Sequence, residues 1–128
     1  MLKTIIFDLD GTLCDTLDDI RTAINGMLVR LGYKTRTRGE LLKFINNGAR
    51  ELVRRSLPKE VQKIEFIVDS ALEVYTAEYA KSYCQRTKAF DGIKNLIMEL
   101  KGRGYKLAVL TNKQHSLAST IIDTVFGK

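Results

Sequence analysis

The residues best suited to chemistry lie near the N-terminus, in the segment Asp8-Leu9-Asp10-Gly11-Thr12. Two carboxylates placed two residues apart on a strand point the same way, and a strand terminus leaves them accessible. Held this close they repel, which raises the proton affinity of one unless a cation lies between them. Magnesium suits an oxygen-only site that also holds phosphate. One carboxylate could then attack phosphorus as a nucleophile, while the other serves as general acid and base.

Two simpler interpretations of this acidic segment compete with the chemical one. Asp10-Gly11 is by itself a good hairpin turn, and acidic loops are often only solvated. A calcium-binding EF-hand loop starting at Asp8 fails, because its sixth position is Leu13 rather than glycine and its twelfth is Asp19 rather than glutamate. The strongest support for the chemical interpretation is the position of the segment directly after a predicted strand.

Two apolar segments predict strands that would position these carboxylates. Thr4 to Phe7 and Tyr105 to Leu110 have the composition of buried parallel strands. The first ends at Asp8 and Asp10, and the second ends in Thr111-Asn112-Lys113. A strand-helix-strand crossover is almost always right-handed and parallel, so both strands should end at the same sheet edge, where α/β proteins bind ligands. The polar residues of both segments are therefore expected to converge.

Residues 16–83 predict four helices with no strand among them. The signals are a glycine just past the first helix (Gly32), a capping box (Thr37 with Glu40), an interruption at Gly48 and a stop at Pro58. The predicted inward faces are, in chain order, Ile20, Ala23, Ile24, Met27, Leu28 and Leu31; Leu41, Leu42 and Ile45; Ala49, Leu52, Val53 and Leu57; and Val61, Ile64, Val68, Ala71, Leu72, Tyr75 and Tyr79. Two more helices follow, one before and one after the second strand, with the apolar residues Ile93, Leu96, Ile97 and Leu100, and Leu117, Ala118, Ile121, Ile122 and Val125.

Composition places the chain among globular proteins. It has 128 residues, of which 45% are hydrophobic and 28% charged. No apolar run approaches the roughly 20 residues that span a bilayer, and the N-terminal apolar stretch is too short for a signal peptide. Cys14 and Cys84 are too few for a disulfide scaffold, which favours a reduced, cytoplasmic setting. The net charge of +6 is spread out, which favours a small anionic partner or solubility over nucleic acid, and no membrane partner is expected.

The two strand-end segments resemble the signatures of a known family. Residues 5–13 resemble the first signature of the haloacid dehalogenase superfamily, and residues 107–113 resemble its second, in the form found in phosphoglycolate phosphatases. The helical region resembles that family's cap, with Ile45-Asn46-Asn47-Gly48-Ala49 similar to the cap segment that faces the substrate. The resemblance implies an α/β fold: a partial Rossmann-like core of parallel strands flanked by helices (residues 1–15 and 84–128, incomplete) with an inserted all-helical cap (residues 16–83).

The resemblance also implies roles for the matching residues. Asp8 would be the nucleophile and a metal ligand, and Asp10 the general acid/base with its backbone carbonyl on the metal. The Thr111 hydroxyl and the Asn112 backbone N–H would bind phosphate oxygens, while Gly11-Thr12-Leu13 would form a small flap beside the substrate. The implied function is Mg²⁺-dependent hydrolysis of a small phosphorylated metabolite, a phosphomonoester, through an aspartyl-phosphate.

Further candidate substrate contacts are Gly48 and Arg50 on the cap and Lys113 on the core. Arg50 could reach a substrate carboxylate with two hydrogen bonds when the cap closes. Lys113 follows the second signature closely, although both it and Lys128 are expected to be surface or helix-capping lysines. Three tyrosines at helical spacing are expected in the cap core: Tyr75, Tyr79 and Tyr83.

The resemblance also implies that the catalytic set is incomplete. The family uses a later lysine and a later acidic pair, and this chain ends about where a third core strand should begin. We therefore expect the chain to be weakly active or inactive, with an open sheet edge through which it could self-associate. Two alternatives stay open: a phosphosugar mutase of β-phosphoglucomutase type, which uses the same two aspartates, and a non-catalytic fragment.

Overall fold

The computed structural model describes residues 3–45, 47–111, 113 and 115–127. The candidate phosphate ligand Asn112 lies outside the described residues, as do Asn46 of the cap segment and Lys128. The strands are β1 (Thr4–Phe7), β2 (Cys14–Asp15), β3 (Lys88–Ala89) and β4 (Lys106–Val109). The α-helices are α1 (Leu17–Arg30), α2 (Arg38–Phe44), α3 (Gly48–Ser56), α4 (Glu65–Ser82), α5 (Ile93–Gly102) and α6 (His115–Phe126), with one 3₁₀ turn at Lys59–Val61.

The predicted strands pair as expected in the described chain. β1 and β4 are parallel, with Thr4 opposite Lys106 and Phe7 opposite Val109, so both end at the same edge. The α/β fold with parallel strands and flanking helices is confirmed. The expectation that both strands are buried is wrong, however, because only one face packs against helices. On the other face Ile6 is 63% exposed, and Leu110, just after β4, is 73% exposed.

The helices between residues 17 and 82 form as the sequence patterns predict. Gly32 follows α1 at φ +81°, a left-handed conformation that glycine adopts without strain. The Thr37 side chain accepts a hydrogen bond from the Glu40 backbone N–H, and the Glu40 side chain accepts from the Thr37 backbone N–H, which completes the capping box. Among the described residues from 17 to 82, all regular structure is helical.

Some details of the helices differ from the sequence prediction. Leu42 was expected to face inward with Leu41, but it is 57% exposed while Leu41 is fully buried. The long helix begins at Glu65, so Val61 belongs to the preceding 3₁₀ turn and Ile64 precedes the helix. Helical periodicity alone could not locate this start, because Val61 lies in a turn whose own spacing is close to that of a helix.

A short antiparallel ladder joins the two chain segments between the sheet and the helices. β2 pairs with β3, with Cys14 opposite Ala89 and Asp15 opposite Lys88. This pair was not predicted, since two-residue strands carry no periodic signal. We call β2 and β3 together the linker ladder. It holds the segment entering the helical region against the segment leaving it.

The buried side chains fall into two clusters. The larger one draws its fully or nearly fully buried members from Leu17 to Tyr79. The smaller one contains Leu9, Leu13, Cys14, Ala118 and Ile121, with side chains of β1, β4, α5 and α6 packed against it. This separation agrees with the predicted division into core and cap, which itself stays a prediction.

Two elements are weakly covered within the described chain. No residue of α5 is buried, and Leu96 and Met98 are 40% and 71% exposed. A groove beside β4, between α5 and α6, is lined by Leu107 and Val109 together with apolar side chains of both helices.

In the described residues, no helix has the length and apolar character needed to cross a lipid bilayer.

Candidate active site

The carboxyl ends of β1 and β4 open into one cavity. Asp8 and Asp10 after β1, together with Thr111 and Lys113 after β4, line a space of about 130 Å³. The shared sheet edge therefore brings Asp8, Asp10 and Thr111 together, as the sequence predicts, and adds Lys113 to them. Side chains from α1, α3, α4 and α6 and the end of α2 complete the lining: Ile20, Ile45, Gly48, Ala49, Leu52, Tyr75, Thr76, Tyr79 and Leu117.

A compact turn carries the two aspartates. The backbone N–H groups of Leu13 and Cys14 both donate to the Leu9 carbonyl, at 3.1 and 3.0 Å. Gly11 has φ +79°, a conformation that a side chain would strain. Leu9 is fully buried, which anchors the turn, while Asp8 stays exposed at the cavity with its Oδ1 accepting from the Leu9 N–H at 2.8 Å. One oxygen of Asp8 is thus oriented by the backbone.

Asp10 is held by two donors from different parts of the chain. Its Oδ1 accepts a hydrogen bond from the Thr16 hydroxyl at 2.7 Å. Lys113 Nζ lies 3.4 Å from the same oxygen. Thr16 is only 1% exposed and directly precedes α1, so the first residue beyond the linker ladder fixes the candidate acid/base.

Lys113 is not the surface lysine that the sequence suggested. Its side chain is 8% exposed. The ammonium donates to the Tyr79 hydroxyl at 2.8 Å and lies 4.5 Å from the centre of the Tyr79 ring. Its backbone N–H donates to Thr111 Oγ1 at 3.1 Å, so the turn after β4 orients Thr111 as well. The lysine is buried because α4 passes over it, which local sequence does not reveal.

Tyr79 is the site residue that sequence reasoning missed. It was expected in the cap core, and the structure shows it buried and stacked on Tyr75, with ring centres 5.7 Å apart. Its hydroxyl nevertheless contacts Lys113, in the turn after β4. Burial is the largest cause that raises the pKa of Tyr79, so the phenol remains protonated at neutral pH. The only sequence signal was the spacing of the tyrosines along α4.

The remaining predicted substrate contacts divide into two groups. Gly48 lines the cavity at the start of α3, with φ +86°. Gly11 and Thr12 are exposed in the turn and are not among the lining residues. Arg50 is also outside the lining, since it donates to Asp69 at 2.6 Å and Glu65 at 2.7 Å on the surface between α3 and α4. The structure thus does not bring Arg50 to the cavity.

Cys14 is the thiol nearest to the aspartate turn, and it is not a nucleophile. It is fully buried, and burial followed by the negative charge of Asp10 raises its pKa to about 11. A thiol attacks as the thiolate. Cys14 therefore serves in packing beneath the turn.

The oxygen donors at the strand ends fit a magnesium ion. Asp8 offers an exposed carboxylate at the cavity, and Asp10 adds a second carboxylate and a backbone carbonyl nearby. In the described part of the chain, no group of three or more histidine, cysteine, aspartate or glutamate side chains could hold an ion. Magnesium keeps several waters and often binds through one or two carboxylates plus phosphate oxygens. The donor set is therefore compatible with magnesium that binds together with phosphate.

Comparison with known proteins decides the family. The sequence profile described as haloacid dehalogenase-like hydrolase matches residues 5–125. The chain belongs to this family. It is 34% identical over 116 residues to a phosphoglycolate phosphatase of Psychrobacter arcticus, which covers 87% of this chain and 50% of that protein. The chain thus spans about half the length of the curated relatives it matches.

Solved structures of other proteins show the same fold. A predicted phosphoglycolate phosphatase from Haemophilus somnus superposes with a TM-score of 0.87 at 27% identity, over 98% of this chain and 58% of that one. The crystal structure of CbbY from Rhodobacter sphaeroides in complex with phosphate gives a TM-score of 0.64 at 28% identity, over 100% of this chain and 59% of that one. The arrangement of strands and helices described above is therefore that of the family.

Proposed function

We propose that this chain carries the nucleophile side of a magnesium-dependent phosphomonoester hydrolase of the phosphoglycolate phosphatase type. The observation that carries the proposal is the single cavity lined by Asp8, Asp10, Thr111 and Lys113. It combines a nucleophile, a candidate acid/base, a hydroxyl and a cation at the carboxyl ends of two parallel strands. The phosphate named in the CbbY structure and the phosphatase names of the relatives support the same chemistry.

In the first step Asp8 attacks the phosphorus atom. A bond forms between a carboxylate oxygen of Asp8 and phosphorus while the bond from phosphorus to the ester oxygen breaks. Asp10 donates a proton to the leaving oxygen, so the alcohol departs neutral. The Thr16 hydroxyl, 2.7 Å from Asp10 Oδ1, fixes the carboxyl group for this transfer.

In the second step water replaces the aspartate. Asp10, now deprotonated, accepts a proton from the water as its oxygen attacks phosphorus, and the bond between phosphorus and Asp8 breaks. Inorganic phosphate leaves, and both aspartates return to their starting states. Because the hydrolysis occurs in two displacements, Asp10 acts as the acid in the first and as the base in the second.

Positive charge and hydrogen-bond donors must balance the phosphate in both steps. Lys113 supplies an ammonium 3.4 Å from Asp10, and the Thr111 hydroxyl lines the same cavity. The Asp8 carboxylate and the Asp10 backbone carbonyl would hold magnesium, which when bound would neutralise phosphate charge and reduce its repulsion from Asp8. With one lysine and two carboxylates in the described lining, we expect turnover below that of typical enzymes.

The proposed substrate is a small phosphorylated metabolite. The cavity of about 130 Å³ suits a small ligand rather than a macromolecule, and much of its lining on the helical side is aliphatic. In this proposal residues 16–83 act as a cap over a core of residues 1–15 and 84–128, consistent with the two hydrophobic clusters. Self-association through the open edge of the two-stranded sheet is a further part of the proposal, while the cytoplasmic setting and the lack of nucleic-acid or membrane partners stay predictions.

Hydrolysis of p-nitrophenyl phosphate by the purified chain tests the proposal. We expect slow turnover that requires magnesium, stops with a chelator and is lost in Asp8→Asn, below the roughly 1 s⁻¹ lower bound of common enzymes. Asp18→Asn is the matched control, since Asp18 lies on the exposed face of α1 and pairs with Arg38. Turnover that survives in Asp8→Asn or in chelator would contradict the proposal, as would the absence of both turnover and magnesium-dependent phosphate binding.

A further inference from the structure

We propose that Tyr79 is a positioning residue, which holds the Lys113 ammonium beside Asp10 and so makes helix α4 part of the phosphate site. Only one part of the inference, the effect on phosphate binding, rests on the proposed function. The placement of the lysine by the tyrosine can be tested without any substrate.

The distances identify Tyr79 as the closer anchor of Lys113. The ammonium lies 2.8 Å from the Tyr79 hydroxyl oxygen and 3.4 Å from Asp10 Oδ1. Strong charge-assisted hydrogen bonds between ammonium and carboxylate are about 2.7–2.9 Å long, so the Asp10 contact is the looser one. The Tyr79 ring adds a second contact, because the ammonium lies 4.5 Å from its centre.

Lys113 needs such an anchor because of its chemistry and its burial. A lysine ends in a strongly hydrated point charge on a flexible four-carbon stem, and it loses much rotamer freedom when held in one place. At 8% exposure the side chain has also lost most of its contact with water. A buried ammonium must find acceptors in the protein, and the described acceptors are the Tyr79 hydroxyl and Asp10.

Tyr79 is itself rigid enough to act as the anchor. It is 3% exposed, stacked on Tyr75 at an angle of 11° between ring planes, and also in ring contact with Tyr83 at 5.8 Å. Because burial raises its pKa, the phenol stays neutral and uses an oxygen lone pair to accept from the ammonium. Its own proton is then available to a phosphate oxygen in the cavity.

The consequence is a physical link between the helical region and the core at the site of phosphate binding. Asp10 comes from the turn after β1, Lys113 from the turn after β4, and Tyr79 from the last turns of α4. A displacement of α4 would therefore release the cation from its place. Phosphate affinity should depend on the seating of α4.

Chemical labelling of lysine amines tests the anchor directly. We expect Tyr79→Phe to raise the rate of Lys113 acylation by about tenfold, because the variant loses one hydrogen bond to a charged group and keeps the ring. Tyr83→Phe is the matched control, because it removes the same atom from the adjacent ring, which is outside the cavity lining. An unchanged rate at Lys113 in Tyr79→Phe, read by peptide mass spectrometry, overturns the inference.

A double-mutant cycle with inorganic phosphate and magnesium tests the consequence. Tyr79→Phe should weaken phosphate binding by about tenfold in the parent chain and by less than twofold in a Lys113→Met background. Equal losses in both backgrounds overturn the inference, since Tyr79 would then act independently of the lysine. A parent chain that binds no phosphate contradicts the proposed function, and the labelling result then decides the inference by itself.

Discussion

The part of the site that the sequence predicted consists of single residues at the ends of strands. Asp8, Asp10 and Thr111 lie where they were expected, because each comes shortly after the end of a strand whose apolar pattern is local. Lys113 was expected on the surface but its side chain is buried, whereas Arg50 was expected at the substrate but is held on the surface by ion pairs. Tyr79, which accepts a hydrogen bond from Lys113, lies 34 residues away along the chain, and the partners of Arg50 lie 15 and 19 residues away. Such contacts depend on how helices pack, which no local pattern encodes.

Thr16→Val tests the hydrogen bond that orients Asp10. The substitution keeps the buried shape and removes the hydroxyl that donates to Asp10 at 2.7 Å. We expect the free energy of unfolding to fall by about 1–2 kcal/mol and hydrolytic activity to fall with it, as measured by urea denaturation and turnover. Thr22→Val is the control, because that hydroxyl donates to the Asp18 carbonyl on the exposed face of α1. Equal effects of the two substitutions would count against an orienting role for Thr16.

Arg50→Ala tests whether this arginine contacts the substrate. Because Arg50 pairs with Asp69 and Glu65 outside the cavity, we expect phosphate affinity to change by less than twofold. A loss of tenfold or more would restore the sequence-based expectation that the arginine reaches the site. Lys113→Met, measured in parallel, should weaken phosphate binding clearly.

The same substitution has a predictable dependence on pH. Hydrogen bonds from Arg54 and then Arg50 lower the pKa of Glu65 below its ordinary value of 4.5. A carboxylate whose pKa is lower in the folded state stabilises the fold above its unfolded pKa and loses that effect as pH falls through the folded value. The small stability difference between the parent chain and Arg50→Ala should therefore be present at neutral pH and vanish in acid. A difference that grows below pH 4.5 would contradict the assignment.

At the scale of elements, the connection between helices and sheet is the part that the sequence least revealed. The helices themselves follow from apolar spacing, caps and glycines. The linker ladder is too short for a periodic signal, and it is reinforced by a buried carboxylate. Asp19, 2% exposed, accepts from the Arg86 backbone N–H at 3.0 Å and the Thr87 hydroxyl at 2.7 Å. An acidic residue in the first turn of a helix suggested only a favourable interaction with the helix dipole.

Asp19→Ala tests this connection. The change leaves a backbone N–H and a hydroxyl without their acceptor, so we expect the free energy of unfolding to fall by about 3 kcal/mol. Asp18→Ala is a matched control, since Asp18 occupies the same first turn but has a 44% exposed side chain that pairs with Arg38 at 3.3 Å. Urea denaturation of both variants gives the comparison. If the free energy of unfolding falls no further in Asp19→Ala than in Asp18→Ala, Asp19 does not stabilise the linker ladder.

At the scale of the whole molecule, one face of the sheet is left without a covering layer in the described chain. β1 and β4 form a two-stranded sheet with one face on helices and the other exposed. The sequence predicted parallel pairing correctly but overestimated burial. An apolar composition shows that a strand could be buried on both faces, but it does not show whether helices cover both faces. Unpaired strand edges and exposed apolar side chains favour association between chains.

Leu110→Lys tests self-association through this region. We expect the parent chain to elute at a larger apparent size as its concentration rises, and the variant to elute as a monomer. Leu110 is 73% exposed next to β4, while Val29, 65% exposed on α1, provides the control Val29→Lys. Multi-angle light scattering with size exclusion makes the measurement. Association that persists in Leu110→Lys, or that is lost equally in Val29→Lys, would place the contact elsewhere.

Covalent trapping tests most directly whether Asp8 is the nucleophile. Acetyl phosphate has a good leaving group, so phosphorylation of the chain with magnesium should not require the acid function of Asp10. We predict a gain of one phosphoryl group on Asp8 by mass spectrometry, absent in Asp8→Asn and longer-lived in Asp10→Asn, which lacks the base for hydrolysis. A phosphoryl group on another residue, or no adduct in a chain that binds phosphate and magnesium, would contradict this account.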